Sequence, residues 1–99
     1  MSRNRGTKSS GSSFDDATIE AVWQKGTPES GDYRKDTCGA SMKRSEYGNI
    51  NATYGWEIDH INPVARGGTD ELKNLQPLHW KNNRSKGDDY PNFTCEVKL

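Results

Sequence analysis

The 99-residue chain has few apolar side chains, few cysteines and no excess charge of either sign. Hydrophobic residues make up only 29% of it, enough for one small core, so we expect a single domain. A domain with so little core can gain stability from a bound metal ion. Lysine plus arginine total 14, as do aspartate plus glutamate, which argues against nucleic-acid binding through bulk charge. Affinity for a polyanion would have to come from local clusters of basic residues.

The chain contains two cysteines, Cys38 and Cys95, and no C-x-x-C pair. Without a recognisable secretion signal, two isolated thiols favour a reducing compartment, so we predict a cytoplasmic protein with unpaired cysteines. A disulfide between them is the less favoured alternative. No apolar run approaches the length of a membrane span, and we therefore predict a soluble protein with no membrane partner.

The first 13 residues are polar, basic and rich in glycine and serine, a composition that predicts a flexible N-terminal arm. Its basic side chains, Arg3, Arg5 and Lys8, either touch phosphates or belong to a solvated terminus, and we favour the second reading. Residues 14–99 then form the folded domain. A helix is predicted from Asp15 or Asp16 to Lys25, because acidic residues open it and an apolar face follows at helical spacing.

Shorter elements are predicted over the rest of the chain. Extended segments broken by Gly39 are expected over residues 33–43, and the alternation of apolar residues over 93–97 indicates an added edge strand. In between, the pattern predicts a strand from Trp56 to Ile61, a helical turn over 70–73 capped by Thr69 or Asp70, a strand over 75–78 and a helix over 79–86. Pro77 requires an edge position in the sheet or a position at the end of its strand.

The most informative stretch runs from Trp56 to Lys86. It places an Asp-His pair, Asp59 and His60, at the end of an apolar strand, followed by Asn74 and then by Asn83 in a basic helix. A carboxylate, an imidazole and two amides are what hydrolysis of a phosphodiester with one divalent cation requires. The run resembles the HNH nuclease family, whose shared core is the ββα-metal finger. The resemblance is dense over residues 54–88.

Weaker similarity to small bacterial and phage HNH nucleases extends over most of residues 18–95, through R-K-D-T-C-G-A at 34–40 and R-S-E-Y-G-N at 44–49. The resemblance implies an α+β fold. We therefore expect a small single domain built around the ββα-metal finger, with an N-terminal helix and extra short strands.

Two catalytic roles follow from the resemblance. His60 matches the general base of the family, and a neutral imidazole, with a pKa of about 6.5 in a model peptide, can accept a proton from water at physiological pH. The alternative is a histidine that only satisfies a loop by hydrogen bonding. Asn74 matches the middle asparagine of the motif, which binds backbone groups and holds the strand that carries the base.

The metal ligands are predicted in the same way. Asp59 matches a family ligand, and its hard carboxylate oxygen suits Mg²⁺ or Mn²⁺; the alternative is a cap for the following loop. Asn83 lies nine residues after Asn74, the spacing of the last family ligand, with Asn82 as the alternative register. His79 precedes Asn83 by four residues and is a weaker candidate for a third ligand. One divalent ion is expected, with Zn²⁺ or Ni²⁺ as possible substitutes.

Basic residues near the finger are candidates for DNA contact. Arg84 and Lys86 follow the ligand on the helix, and Arg66 lies in the preceding loop, where each can hold a phosphate. The alternative for the helical pair is a surface that complements the helix dipole. Trp56 and Trp80 are predicted to belong to the core rather than to stack on bases.

The sequence thus predicts a metal-dependent DNA endonuclease of the HNH type. With one site and one metal, it is expected to act as a monomer or weak dimer, to nick duplex DNA and to leave 5′-phosphate and 3′-hydroxyl ends, as the resemblance implies. Two alternatives stay open. One is a nucleic-acid-binding module that has lost catalysis, and the other is a secreted antibacterial DNase toxin domain.

Overall fold

The computed structural model describes residues 5–98. Within this range the chain forms two short helices, two antiparallel sheets and three 3₁₀ turns. The elements are α1 (Asp16–Trp23), β1 (Thr27–Pro28), β2 (Tyr33–Lys35), β3 (Ser41–Lys43), β4 (Trp56–His60), β5 (Leu75–His79) and α2 (Trp80–Lys86), with 3₁₀ turns at Arg44–Glu46, Val64–Arg66 and Leu72–Asn74. Strands β1, β2 and β3 form one sheet, and β4 and β5 form the other. The predicted α+β class is confirmed.

The second sheet and the helix that follows it form a ββα unit. The antiparallel register pairs Trp56 with His79 and His60 with Leu75. Pro77 lies opposite Ile58 in β5. The N–H of Trp80 bonds the carbonyl of Gly55, and the N–H of Ile61 bonds that of Asn74. In the alternating antiparallel ladder the Ile58–Pro77 pair therefore makes no backbone hydrogen bond. The missing N–H of Pro77 thus faces away from β4, at the edge of the sheet. Gly87, with φ 51°, ends α2.

Helix α1 begins where the sequence predicts. The Asp15 carboxylate accepts a hydrogen bond from the backbone N–H of Thr18 at 2.8 Å and so caps the first turn. The helix ends at Trp23, before the predicted Lys25, because the last turn tightens: the N–H of Lys25 bonds the carbonyl of Val22.

The hydrophobic core lies between α1 and the two sheets. Trp23 packs on Trp56 with ring centroids 5.0 Å apart, and Tyr47 packs on the other side of Trp56 at 4.8 Å. Trp56 is fully buried, as predicted. Trp80 is only half-buried and lies outside the core cluster, so its predicted core position is wrong. Its indole N–H donates to the carbonyl of Ala52 instead.

Two predicted elements differ in the structure. The helical turn predicted over residues 70–73 is a 3₁₀ turn at Leu72–Asn74, preceded by Glu71 without a side-chain cap, because the Asp70 carboxylate binds other partners. The edge strand predicted for the tail is also wrong: residues 88–98, all within the described part of the chain, form no strand. The Asn82 side chain binds the backbone of Glu96 and Val97 and so satisfies groups that a strand partner would have paired.

The cysteines form a disulfide, which corrects the prediction of unpaired thiols. Cys38, in the turn between β2 and β3, is bonded to Cys95 in the C-terminal tail, with Cα atoms 5.9 Å apart. The prediction of a reducing, cytoplasmic compartment rested on free thiols, and that premise fails. Among residues 5–98 no helix is long and apolar enough to cross a membrane.

Loss of this disulfide is expected to destabilise the protein. The bond joins positions 57 residues apart, so it restricts the unfolded chain strongly, and removal of a native disulfide from a small domain typically costs about 2–5 kcal/mol. We expect the Cys38→Ser/Cys95→Ser double variant to unfold at a clearly lower urea concentration than the oxidised protein. The oxidised protein with added dithiothreitol should shift in the same direction. An unchanged midpoint in both samples would show that the bond contributes nothing to stability.

Candidate active site

A cleft of about 540 Å³ opens at the end of β4, between α2, the loop after β4 and the N-terminal segment. Its walls include Arg5, Ser9, Asp59, His60, Asn83 and Asp88. Three of the residues predicted for catalysis and metal binding, Asp59, His60 and Asn83, therefore share one cavity. Asp59 and His60 reach it as the last residues of β4, and Asn83 reaches it from the middle of α2.

His60 is held by an acidic neighbour, Asp70, that the sequence offered as one of two alternative helix caps. Its side chain is almost fully buried, and its Nε2 atom lies 2.8 Å from Oδ1 of Asp70. The ring also packs on Phe14, with centroids 5.9 Å apart. Burial tends to raise the pKa of Asp70, but hydrogen bonds from His60 and Ser9 outweigh it and hold that pKa at about 2. Asp70 is thus a carboxylate at neutral pH.

Asp59 is 5% exposed, and both of its oxygens have partners. Gln76 donates from Nε2 to Oδ2 at 2.9 Å, and the Lys86 ammonium lies 3.3 Å from Oδ1. Burial raises the pKa of this carboxyl, while the bonds from Gln76 and Lys86 act in the opposite direction. A bound divalent cation would likewise favour the charged form.

The position of Lys86 corrects the sequence reading. We predicted a surface lysine that contacts phosphate, but the residue is 2% exposed and its ammonium points back from α2 to β4. There it donates to the carbonyl of His60 at 3.0 Å as well as pairing with Asp59. The long flexible side chain lets a residue in the last turn of α2 reach the neighbouring strand. In this structure Lys86 joins the strand end to the helix rather than facing solvent.

Asn83 is oriented by a second buried acid, Glu57. The Asn83 Nδ2 donates to Oε1 of Glu57 at 3.0 Å, and both side chains are more than nine-tenths buried. Because a carboxylate oxygen accepts hydrogen bonds, the amide turns its nitrogen towards Glu57 and keeps Oδ1 as its acceptor. Glu57 lies two residues before Asp59 in β4, so the alternation of the strand places both on one side. Glu57 was not identified as a site residue from the sequence. Its position two residues before Asp59 in a predicted strand was the signal that could have done so.

Asn74 spans the loop between β4 and β5. Its Oδ1 accepts from the N–H of Asn62 at 2.8 Å, and its Nδ2 donates to the carbonyls of Asn62 and Thr69 at 3.1 and 2.8 Å. Its own carbonyl accepts from Ile61. Gly68 is needed here, since a Cβ would lie 1.7 Å from the carbonyl oxygen of Asn62. These contacts join the two ends of the loop, and the role of Asn74 in catalysis stays a prediction.

His79 is engaged away from the cleft. It precedes α2 as its cap, with Nδ1 accepting from the N–H of Lys81 at 3.1 Å. Its Nε2 lies 2.8 Å from the carbonyl oxygen of Thr53. Both nitrogens thus have backbone partners, and this geometry does not support a role for His79 as a third metal ligand.

Of the three basic residues predicted to contact DNA, two are exposed and one, Lys86, is buried. Arg84 is exposed on α2, with its guanidinium carbon 5.0 Å from the ring centroid of Trp80. Arg66 is exposed in the loop after β4 and donates to the carbonyl of Asp88 at 2.7 Å. These two side chains remain available to a polyanion, unlike Lys86.

The N-terminal segment forms one wall of the cleft. Arg5 donates to the carbonyl of Asn83 at 3.3 Å, and Ser9 donates to Asp70 through both its backbone N–H and its hydroxyl, at 2.9 and 2.7 Å. Gly6 passes over Glu57, since a Cβ there would lie 3.4 Å from the Cβ of Glu57. The polar composition gave no signal for these contacts. The predicted flexibility of residues 1–13 stays a prediction, and Arg3 lies outside the described residues.

The side chains of the cleft suit a hard divalent cation. Residues 5–98 contain no group of three or more His, Cys, Asp or Glu side chains arranged to hold a metal. The candidate donors are instead one carboxylate, Asp59, and one amide oxygen, that of Asn83. Mg²⁺ and Mn²⁺ accept such oxygen donors and retain several waters, whereas a zinc site needs more nitrogen or sulfur ligands. An ion here would share Asp59 with Lys86.

Comparison with known protein families agrees with this geometry. The family model for HNH endonuclease matches residues 36–89, more than half of the chain, and includes β4, β5 and α2. The chain therefore belongs to the HNH endonuclease family. No curated protein and no solved structure shows significant similarity to it.

Proposed function

We propose that the protein is a metal-dependent endonuclease that hydrolyses phosphodiester bonds of DNA at the cleft between β4 and α2. Membership of the HNH family supports nuclease activity in general. The observation that carries the specific proposal is the shared cavity, which Asp59, His60 and Asn83 all line. An imidazole beside two oxygen donors is a suitable arrangement for activating water next to a phosphate.

His60 acts as the general base. It accepts a proton from a water molecule, which then attacks the phosphorus in line with the departing 3′-oxygen. Asn74 braces the loop on both sides, so the end of β4 keeps its position during the reaction. The products have 5′-phosphate and 3′-hydroxyl ends.

Asp59 and Asn83 would hold the divalent cation, Mg²⁺ or Mn²⁺. Such an ion, when bound, neutralises charge on the phosphate and the leaving oxygen. Gln76 and Glu57 orient the two ligands, and Lys86 favours the charged form of Asp59 against the effect of burial.

The exposed arginines supply the DNA contact. Arg84 and Arg66 lie on the two elements that flank the cleft, and each can bind a backbone phosphate. The chain as a whole has no excess positive charge to add, because basic and acidic residues are equal in number. We therefore expect weak, salt-sensitive binding without strong preference for sequence.

A supercoiled plasmid provides the direct test. With Mg²⁺ or Mn²⁺ we expect conversion first to the open circle and only later to the linear form, because a monomer has one site and cuts one strand at a time. EDTA should abolish the reaction. Direct conversion to linear DNA, at enzyme concentrations where the protein is monomeric, would contradict the single-site proposal. DNA binding without any cleavage would favour the alternative of a binding module.

One observation favours the second candidate, a secreted antibacterial DNase. The Cys38–Cys95 disulfide is the kind of bond that persists in oxidising compartments. The catalytic chemistry would be unchanged, but the protein would require an inhibitor in the producing cell. Alkylation of free thiols in protein taken directly from its native cells distinguishes the two settings, since a cytoplasmic enzyme would label at both cysteines.

A further inference from the structure

The acid that contacts His60, Asp70, lies in the loop between β4 and β5 and is not one of the proposed metal ligands. Asp70 is partly exposed, yet its Oδ1 lies 2.8 Å from Nε2 of the buried His60 ring. This contact is separate from the Asp59–Lys86 pair and is not explained by metal binding.

The contact fixes which nitrogen of His60 carries the proton. The pKa of Asp70 is about 2, so at neutral pH its carboxylate can only accept a hydrogen bond. Nε2 must then be the donor. In a neutral imidazole the other nitrogen, Nδ1, holds the lone pair. The base atom is therefore Nδ1.

The N-terminal segment holds Asp70 in place. The hydroxyl of Ser9 donates to Oδ2 and its backbone N–H donates to Oδ1, the oxygen that also receives His60. The carboxylate is thus fixed from one side by residue 9 and from the other by the imidazole. A side chain that served only the local loop would not need partners so distant in sequence.

We propose that Asp70 is a positioning residue for the nuclease reaction: it fixes the His60 ring with Nδ1 as the proton acceptor, and Ser9 holds Asp70 in that geometry. This inference rests on the proposed function, because it assigns a role in the same site. Asp70 touches neither substrate nor metal in this role. It acts through His60 alone, and its loss should lower turnover rather than DNA binding.

The position of the proton on the His60 ring can be measured by NMR, without an activity assay. The chain has only two histidines, so ¹⁵N spectra of the histidine-labelled protein contain two imidazoles, and the His60→Ala variant assigns them. For the neutral ring we expect His60 in the Nε2–H form, because Nε2 contacts the Asp70 carboxylate. Asp70→Ala should shift it towards a mixture of both forms. A wild-type ring in the Nδ1–H form, or a ring whose form is the same in folded Asp70→Ala, overturns the proposal.

Kinetics test the catalytic consequence. We expect Asp70→Asn to lower kcat by about 10- to 100-fold with little change in KM for DNA, as for other residues that orient a catalytic group. Glu71→Gln, an exposed carboxylate next in the chain, is the matched control and should behave as wild type. An unchanged kcat in Asp70→Asn contradicts the role. An inactive wild type would instead overturn the proposed function, while the spectra still decide the geometry of His60.

The contribution of Ser9 is tested by comparing substitutions at Ser9 and at its neighbour Ser10. Ser9→Ala removes the hydroxyl bond to Asp70 but keeps the backbone bond, so its kcat should fall by less than that of Asp70→Asn. Ser10→Ala is the control, because the Ser10 hydroxyl contacts Ser12 rather than Asp70. Equal kcat values for the two serine variants would remove Ser9 from the proposal.

Discussion

His60→Ala is expected to lower the cleavage rate by about 10²- to 10⁴-fold, the range that general-base catalysis contributes. The chain has only one other histidine, His79, and both nitrogens of that ring are bonded to the backbone away from the cleft. No second imidazole can therefore replace the lost base. Binding of Mn²⁺ and of DNA should be retained, since His60 is assigned to neither.

His79→Asn is the matched control for this experiment. Asparagine is a favourable helix cap and can still accept from the N–H of Lys81, so the fold should tolerate it. Near-normal Mg²⁺-dependent cleavage would make His79 a bystander. Loss of activity with the fold intact would instead mean that the metal shell includes His79. If His60→Ala loses the metal while Asp59→Ala keeps it, the two roles are reversed.

Asp59→Asn is expected to remove most metal affinity and most cleavage. The amide keeps the shape of the side chain and can still accept from Gln76, but it lacks the charge that attracts a divalent cation. Mn²⁺ titration by calorimetry, followed by the plasmid assay, measures both effects. Wild-type Mn²⁺ affinity in the folded variant would eliminate Asp59 as a ligand.

Stability must be separated from metal binding in that variant. Neutralising Asp59 leaves the buried Lys86 ammonium without its carboxylate, and breaking a buried pair in this way can cost about 3–5 kcal/mol. The Asp59→Asn/Lys86→Met double variant removes both charges and should regain much of the stability. It should remain inactive, because the ligand is still missing. Recovered cleavage in the double variant would show that Asp59 serves the fold alone.

The sequence predicted the elements whose signals are local. The strand that ends in Asp59 and His60 and the helix that carries Asn83 both follow from short-range pattern and motif spacing. Three of the site residues predicted from the motif, Asp59, His60 and Asn83, lie in one cleft. The start of α1 and the end of α2 were also predictable, because capping residues act on the adjacent turn of the helix.

Contacts between distant parts of the chain were not predictable in this way. Lys86 and Asp59 are 27 positions apart, and the ion pair depends on how closely α2 packs against β4. A basic residue at a helix end normally indicates a surface position, and only the packing reverses that expectation. Asp70 was one of two alternative caps in the prediction, and its actual partners, His60 and Ser9, lie outside its own loop turn and gave no local signal.

The disulfide and the tail show a related limit. Two cysteines 57 positions apart carry no local signal of pairing, and the argument from compartment pointed the other way. The apolar alternation over residues 93–97 resembles a strand, but the disulfide and the Asn82 side chain satisfy the tail without one. Period-2 patterns over so few residues cannot by themselves distinguish a strand from an extended tail.

The most direct test of the central claim is the chemistry of the cut ends. Wild-type protein and His60→Ala, purified in parallel, are incubated with an end-labelled duplex in Mn²⁺ or in EDTA, and the termini are identified by mass spectrometry. We predict 5′-phosphate and 3′-hydroxyl ends for the wild type in Mn²⁺ only. Ends of the opposite kind, cleavage in EDTA, or equal cleavage by His60→Ala would contradict metal-dependent hydrolysis with His60 as the base.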